Sequence, residues 1–183
     1  MTSIWLVRHG EAAAAWNEHE DPGLSSLGLQ QAQATAEVLA PVLPADLQIL
    51  SSPKARALET AAPLAEILEC PVAVVDTFRE IQAPVGLDQR REWLTGFMRQ
   101  EWHQQPETLW EWRNNIVDAL RQIDRPTVVF THFLVINAVV AHIRDEQATV
   151  QLWPDNASYH QFLNAESGLE MVAMGREMVT RIN

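Results

Sequence analysis

The chain has 183 residues, of which 47% are hydrophobic, and it carries a formal net charge of −11. This length and apolar content predict one folded domain over residues 1–183 and exclude a disordered chain. The negative charge argues against binding to nucleic acid or to an anionic membrane surface, because both require broad basic patches.

Cysteine usage and hydropathy exclude further classes. The chain has a single cysteine, Cys70, which rules out an internal disulfide and argues against a cysteine-based metal site. No apolar run approaches the ~20 residues of a membrane span. The chain begins without a signal-peptide pattern, so we expect a cytoplasmic protein.

The first strand is predicted at residues 4–7, where four apolar residues precede Arg8, His9 and Gly10. Ligands of open parallel sheets bind at the carboxyl ends of the strands. Arginine matches the geometry of phosphate oxygens, and histidine can attack phosphorus or transfer a proton. The strand end therefore suggests a phosphate site, although an ordinary polar loop gives the same triplet. Asn17 can donate to phosphate or cap a turn.

An amphipathic helix is predicted at residues 27–43, with Ser25 or Ser26 as its N-cap. Helical spacing predicts four buried residues: Leu29, Ala32, Ala36 and Leu39. A second strand at 47–50 leads into another helix, predicted to end near residue 69, with Arg56 in its first turn. Helix N-termini attract anions, so this junction repeats the pattern of the first.

Three segments together resemble the histidine phosphatase superfamily, the group that includes the phosphoglycerate mutases. They are Arg-His-Gly-Glu at residues 8–11, Leu-Ser-Ser-Leu-Gly-Leu-Gln-Gln-Ala at 24–32, and Ser-Ser-Pro at 51–53 followed by Arg56 and Thr60-Ala61. The alternation of strands and helices independently predicts an α/β fold with helices on both sheet faces. The resemblance implies a three-layer α/β/α sandwich, mainly parallel, with an antiparallel edge strand.

A third strand is predicted at 71–76, and Glu80 follows it. The resemblance implies that Glu80 donates the proton to the leaving group, which suits the expulsion of an alkoxide from a phosphate ester. Asp76 and Glu92 are the alternative donors, and Glu80 can instead pair with an arginine such as Arg79.

Residues 83–107 contain several tryptophans and arginines, and one or two helices are predicted there. The resemblance implies an insertion that covers the active site, so we expect a short lid in which Arg90 and Arg91 affect substrate KM. Core packing of Trp93 and Trp102 is the alternative.

A further helix is predicted at 108–123, with an inner face of Trp112, Ile116, Leu120 and Ile123. Next come a strand at 127–131, His132, and a helix at 133–143. His132 matches the second histidine of the family, which holds the transferring phosphoryl group. Phe133 departs from the glycine that is common there, which narrows the site or shifts the helix start.

The chain ends with predicted strands at 159–163 and 169–174 joined by a hairpin turn at 164–168. Asn156 resembles a family position with a supporting role. The remaining histidines in the second half of the chain match no motif and are interpreted as structural: His103, His142 and His160.

The resemblance implies a phosphomonoester hydrolase without metal or cofactor, acting on a small phosphorylated substrate or a phosphoprotein. His9 forms a phosphohistidine, and Glu80 is the acid and then the base. The expected phosphate ligands are Arg8, Asn17, Arg56, His132 as an imidazolium, and Phe133. The alternatives are a mutase, which the compact chain argues against, a phosphoprotein phosphatase, and an inactive phospho-ligand-binding relative. Oligomeric state stays open.

Overall fold

The computed structural model describes residues 1–15 and 18–179. Within these residues one sheet has six strands in the spatial order β3-β2-β4-β1-β5-β6. The strands are β1 (Thr2–Arg8), β2 (Gln48–Ser51), β3 (Val72–Val74), β4 (Thr127–Thr131), β5 (Tyr159–Ala165) and β6 (Gly168–Ala173). The first four pair in parallel, whereas β5 pairs antiparallel with both β1 and β6. The predicted mainly parallel sheet with antiparallel pairing at one edge is confirmed.

Helices cover both faces of this sheet. They are α1 (Ser26–Leu39), α2 (Ala55–Ile67), α3 (Arg90–Phe97), α4 (Glu107–Arg121) and α5 (Phe133–Arg144). Trp5 and Val7 of β1 pack with apolar residues of α1 and α2. Ile4 and Leu6 pack with apolar residues of α4 and α5 on the opposite face. This alternation along one strand confirms the three-layer α/β/α sandwich.

The predicted buried stripe of α1 is wrong at Leu29, whose relative exposure is 52%. The buried face is instead formed by Gly28, Ala32, Thr35, Ala36 and Leu39. The helix rotates Leu29 outward because Gly28 contacts the loop after β1. Ser25 is the N-cap, since its Oγ accepts a hydrogen bond from the Gly28 amide at 3.0 Å.

Two other predicted elements differ in detail. Trp112 of α4 is only partly buried, although the other three residues of the predicted inner face are buried. The 83–107 segment forms α3 and a 3-10 turn, Trp102–Gln104. Trp102 is buried against Phe97 and neighbouring apolar residues, as the core-packing alternative predicts.

No helix in the described part of the chain combines the length and apolar character of a membrane span.

Gly28→Ala should lower the free energy of unfolding by about 1–3 kcal/mol. A Cβ at this position would lie 2.1 Å from the backbone carbonyl oxygen of Glu11, so one of the two backbones must move. Urea denaturation followed by tryptophan fluorescence measures the change. Gly96→Ala in α3 is the control, because its Cβ would meet nothing within 4 Å. We expect that control to be neutral or stabilising by about 0.5–1 kcal/mol; equal midpoints for the two variants would contradict this packing.

Candidate active site

Parallel pairing brings three strand ends to one edge of the sheet. Arg8 at the end of β1 aligns with Thr131 at the end of β4, and Ser51 at the end of β2 aligns with Phe130. The residues that follow these strands therefore meet: His9 after β1, His132 after β4, and the first turn of α2 after β2. This register is the physical reason that residues far apart in sequence share one site.

A narrow cavity of about 20 Å³ lies at this edge. Its lining is Arg8, His9, Arg56, Glu80, Arg90, Leu94, Phe133 and Leu134. His132 is fully buried beside it. The structure thus brings together all the site residues predicted from sequence except Asn17, which lies outside the described residues.

Two hydrogen bonds hold the His9 ring, which donates in one of them and accepts in the other. Its Nδ1–H donates to the carbonyl oxygen of Gly10 at 2.7 Å, and its Nε2 accepts from the Nε–H of Arg56 at 3.1 Å. Burial, and then the charges of Arg56 and Arg8, hold the pKa of His9 well below its ordinary value. The ring is therefore neutral, with the Nε2 lone pair as the potential nucleophile.

His132 is also neutral. Its Nε2–H donates to Ser52 Oγ at 2.7 Å, and its Nδ1 accepts from Arg56 Nη2 at 3.3 Å. Burial, and then the charge of Arg56, hold its pKa well below the ordinary value. This low pKa does not fit the expected imidazolium, because the guanidinium of Arg56 already occupies the neighbouring position. His132 can donate a hydrogen bond from Nε2–H to a ligand only if its bond to Ser52 is broken.

Arg56 connects the two histidines through separate nitrogens and is 5% exposed. Its Nη1 lies 3.9 Å from the Oδ1 atom of Asp21. The same oxygen accepts from the Ala55 amide at the N-terminus of α2, at 3.0 Å. Asp21 thus anchors the loop before α1 to the helix that carries Arg56. Sequence reasoning missed this residue, because an aspartate in a polar loop has no distinguishing signal.

Arg8 reaches the site from β1. Its Nη1 donates to the carbonyl oxygen of Pro154 at 2.7 Å, and its guanidinium carbon lies 5.4 Å from the centre of the Phe133 ring. Its buried Nε has no hydrogen-bond partner among the described residues. Burial lowers the pKa of Arg8 to about 10, so the group keeps its charge at neutral pH. This leaves an N–H donor directed at no protein acceptor, which suits an anionic ligand.

Glu80 is the carboxylate at the cavity. Its two oxygens accept from the amides of Ile81 and Leu134, each at 3.2 Å, and burial raises its pKa. Asp76 instead pairs with Arg79 at 2.6 Å, and its side chain is 77% exposed. Glu92 is also exposed. Of the three candidate proton donors, the structure places only Glu80 on the cavity, and Arg79 does not pair with it.

Phe133 is the first residue of α5, and His132 is the residue that precedes the helix. The Phe133 ring packs 5.2 Å from the ring of Trp153 and lines the cavity. Two consequences are expected from Phe133: a narrower site or a shifted start of α5. The structure shows the first, because the Phe133 side chain occupies space beside Arg8. The predicted supporting residue Asn156 lies in a loop that contacts the site through backbone groups, with the Ala157 amide donating to the His9 carbonyl at 3.2 Å.

The histidines without a motif lie away from the cavity lining. His103 is exposed and contacts Glu101. His160 is buried. Its Nε2 is hydrogen-bonded to Ser158 Oγ, its Nδ1 accepts from the Gly175 amide, and burial lowers its pKa to about 4. Both agree with structural interpretations.

The loop that carries His9 is fixed by contacts that explain the sequence motifs. The Gly10 amide donates to Thr60 Oγ1 at 3.0 Å, and the Thr60 hydroxyl donates to the Arg56 carbonyl at 2.6 Å. Ser25 Oγ donates to a carboxylate oxygen of Glu11 at 2.7 Å. A Cβ on Gly10 would lie 2.6 Å from the backbone oxygen of Gly28. These residues hold the nucleophile candidate in place without lining the cavity, a role that sequence spacing alone does not reveal.

Comparison with known proteins assigns the family. A model described as the histidine phosphatase superfamily (branch 1) matches residues 4–176. The chain belongs to the histidine phosphatase superfamily. A search of curated proteins returns no significant match.

Several solved structures of this fold align with the chain over nearly its whole length. Bacillus stearothermophilus YhfR is 20% identical with a TM-score of 0.78, and the alignment covers 98% of each chain. Entamoeba histolytica phosphoserine phosphatase with 3-phosphoglyceric acid is 22% identical, with a TM-score of 0.75 over 96% of this chain and 98% of the other. A mycobacterial glucosyl-3-phosphoglycerate phosphatase with VO3 is 22% identical, with a TM-score of 0.73 over 95% and 99%. At these identities, the likeness establishes the fold.

The pH dependence of stability should report the protonation of the buried site residues. Because the folded-state pKa of His132 is depressed, the unfolded chain binds more protons below about pH 6.5, and the free energy of unfolding falls as pH decreases. His132→Asn should therefore flatten that dependence, by up to about 1.4 kcal/mol per pH unit. Urea unfolding between about pH 5 and 7 measures the slope.

Glu80→Gln provides a comparison of opposite sign. The raised pKa of Glu80 makes the folded state bind more protons above about pH 4.5, so this residue opposes the histidine effect. Its removal should steepen the rise of stability with pH. The same slope in the wild type and both variants would contradict the assigned protonation states.

Proposed function

We propose that this chain is a metal-independent phosphomonoester hydrolase that works through a phosphohistidine on His9. The observation that carries the proposal is the pair of hydrogen bonds on the His9 ring. The Gly10 carbonyl accepts a hydrogen bond from Nδ1–H. The unprotonated nitrogen is therefore Nε2, which lies beside Arg56 at the cavity. A neutral, oriented imidazole among guanidinium groups suits nucleophilic attack on an anionic phosphate.

In the first step, the His9 Nε2 lone pair attacks phosphorus, and the bond from phosphorus to the ester oxygen breaks. Arg8 and Arg56 balance the charge on the non-bridging oxygens, and the Arg56 Nε–H exchanges its histidine acceptor for phosphate. Glu80 transfers its proton to the leaving oxygen, so that an alcohol departs instead of an alkoxide. The raised pKa of Glu80 supports this role, because it increases the protonated fraction near neutral pH.

In the second step, ionised Glu80 takes a proton from water as the water oxygen attacks phosphorus. The bond from phosphorus to His9 Nε2 breaks, which releases inorganic phosphate and restores the neutral ring. Glu80 is again protonated. The cycle therefore uses one carboxyl group as acid and then as base, and the chain's own guanidinium groups supply the positive charge.

A small substrate is favoured over a phosphoprotein, because α3 closes one side of the cavity with Arg90 and Leu94. We propose that residues 83–107 act as a lid within one domain over residues 1–183, because Arg90 and Leu94 of α3 form part of the cavity wall. Hydrolysis is favoured over mutase chemistry by the compact chain, and two structural neighbours are phosphatases by name. The shared cavity of His9 and Glu80 favours an enzyme over an inactive relative, even with Phe133 beside it.

His9→Ala should abolish hydrolysis of p-nitrophenyl phosphate in the presence of EDTA, with a loss of at least about 10³-fold in kcat/KM. The variant should still fold, because the backbone bonds of His9 to Thr131 and Ala157 do not depend on its side chain. Release of p-nitrophenolate measures activity, and circular dichroism checks folding. A folded His9→Ala protein with wild-type activity would refute the phosphohistidine mechanism.

Glu80→Gln separates the two steps. p-Nitrophenolate leaves readily without a proton, so we expect an initial burst of product near one equivalent of enzyme, followed by turnover slowed about 10²–10⁴-fold. An alkyl phosphate should show no burst with the same variant. Identical losses for both esters would argue against Glu80 as the proton donor.

A further inference from the structure

Ser52 belongs to the Ser-Ser-Pro segment at residues 51–53, to which the proposed reaction assigns no role. It directly follows β2 and is fully buried. Its amide donates to the carbonyl oxygen of Phe130 at 2.9 Å, so its backbone is fixed to β4, the strand that leads into His132. The Ser52 hydroxyl is thereby held against the His132 ring, with 2.7 Å between Oγ and Nε2.

The partners of the His132 ring determine which of its nitrogens carries the proton. Arg56 Nη2 lies 3.3 Å from Nδ1, and a guanidinium can donate a hydrogen bond but cannot accept one. Nδ1 must therefore supply a lone pair, and the proton of the neutral ring lies on Nε2. The Ser52 oxygen is the acceptor that this Nε2–H needs in a fully buried position.

The two histidines of the site have opposite tautomers. His9 donates from Nδ1 to the Gly10 carbonyl and directs Nε2 at Arg56. His132 donates from Nε2 to Ser52 and directs Nδ1 at the same guanidinium. Both lone pairs therefore face the cation that the proposed mechanism assigns to phosphate. Ser52 holds the ring of His132 as the Gly10 carbonyl holds the ring of His9.

We propose that Ser52 is a positioning residue for phosphoryl transfer, whose hydroxyl holds Nε2 of His132 and keeps Nδ1 directed at the bound phosphate. This inference rests on the proposed function, because it assigns the phosphoryl group to His9 and Arg56. When a phosphate dianion draws the Arg56 guanidinium away from His132, Nδ1 takes up a proton from solvent and donates a hydrogen bond to a phosphate oxygen. The ring keeps its bond to Ser52 throughout.

The charges near His132 explain why the proton arrives only with the ligand. The ionisable groups that surround the ring are Arg8, His9, Lys54, Arg56 and, in the same cavity lining as Arg56, Glu80. Burial, and then the charges of Arg56, Lys54 and Arg8, hold the pKa of His132 well below its ordinary value. His9 is itself neutral. A phosphate dianion brings two negative charges to the same place and favours the imidazolium.

Ser51 offers a matched control one residue away. It is fully buried, like Ser52, but its hydroxyl donates to the Ser52 carbonyl oxygen at 2.9 Å. In the part of the chain that the structure describes, no hydrogen bond joins the Ser51 side chain to His132. Ser51→Ala and Ser52→Ala therefore remove the same atom from adjacent buried positions, and only Ser52→Ala removes the acceptor of Nε2–H.

The first measurement is ¹⁵N NMR of the wild-type protein with labelled histidine, in which His132→Asn identifies the ring signals. Without ligand, Nε2 of His132 should be protonated and Nδ1 unprotonated. Saturation with inorganic phosphate should protonate Nδ1 and leave Nε2 protonated. An Nδ1 that stays unprotonated with phosphate bound, or a free protein with the proton on Nδ1, would overturn the proposal without the use of any Ser52 variant.

The second measurement compares the two alanine variants, with circular dichroism to check folding. Ser52→Ala should raise the calorimetric dissociation constant of inorganic phosphate by about tenfold and release the fixed tautomer of His132, whereas Ser51→Ala should change neither. Equal phosphate affinities and the same ring spectrum in both variants would overturn the role of Ser52. Failure of the proposed function is distinguishable, because it would abolish hydrolysis of p-nitrophenyl phosphate in the wild type, while phosphate binding and ring protonation are measured without turnover.

Discussion

The hydrogen bond from His9 Nδ1–H to the Gly10 carbonyl is the contact on which the site depends. It fixes the tautomer, and so it determines that Nε2 carries the lone pair. Burial of the same ring, and then the charges of Arg56 and Arg8, lower its pKa and keep it neutral. A neutral imidazole can accept from Arg56, and Arg56 can then donate to His132 with another nitrogen. One backbone carbonyl thus fixes the tautomer of His9, and Arg56 links that ring to His132.

This arrangement is costly, since burial disfavours the charged forms of Arg8 and Arg56. Asp21 offsets part of this cost at Arg56, and the Pro154 carbonyl does so at Arg8. Gly10 and Gly28 allow the loop after β1 to lie directly on α1, and Thr60 joins that loop to α2. The cations therefore keep donors available for a ligand, and the site is organised before any phosphate binds.

Much of this could be predicted from sequence, for a definite reason. The carboxyl ends of parallel strands meet at one edge, so Arg8-His9 and His132 had to be close once β1 and β4 were recognised. Glu80 came from the family resemblance, and its burial beside α5 agrees with that assignment. The rest depends on three-dimensional detail. The exposure of Leu29, the neutral state of His132 and the Asp21 contact follow from packing and charge placement that no periodicity encodes. Arg90 and Arg91 are chemically identical in the sequence, and only the orientation of α3 places Arg90 on the cavity and leaves Arg91 exposed.

The most direct test of the account is the chemical identity of the phosphorylated residue. The enzyme would be mixed with a phosphomonoester, quenched within milliseconds under denaturing alkaline conditions that preserve phosphohistidine, and analysed by mass spectrometry and ³¹P NMR. The account predicts phosphate on His9, attached to Nε2, because Nδ1 is committed to the Gly10 carbonyl. Phosphate on Nδ1, on another residue, or on no residue during active turnover would contradict it.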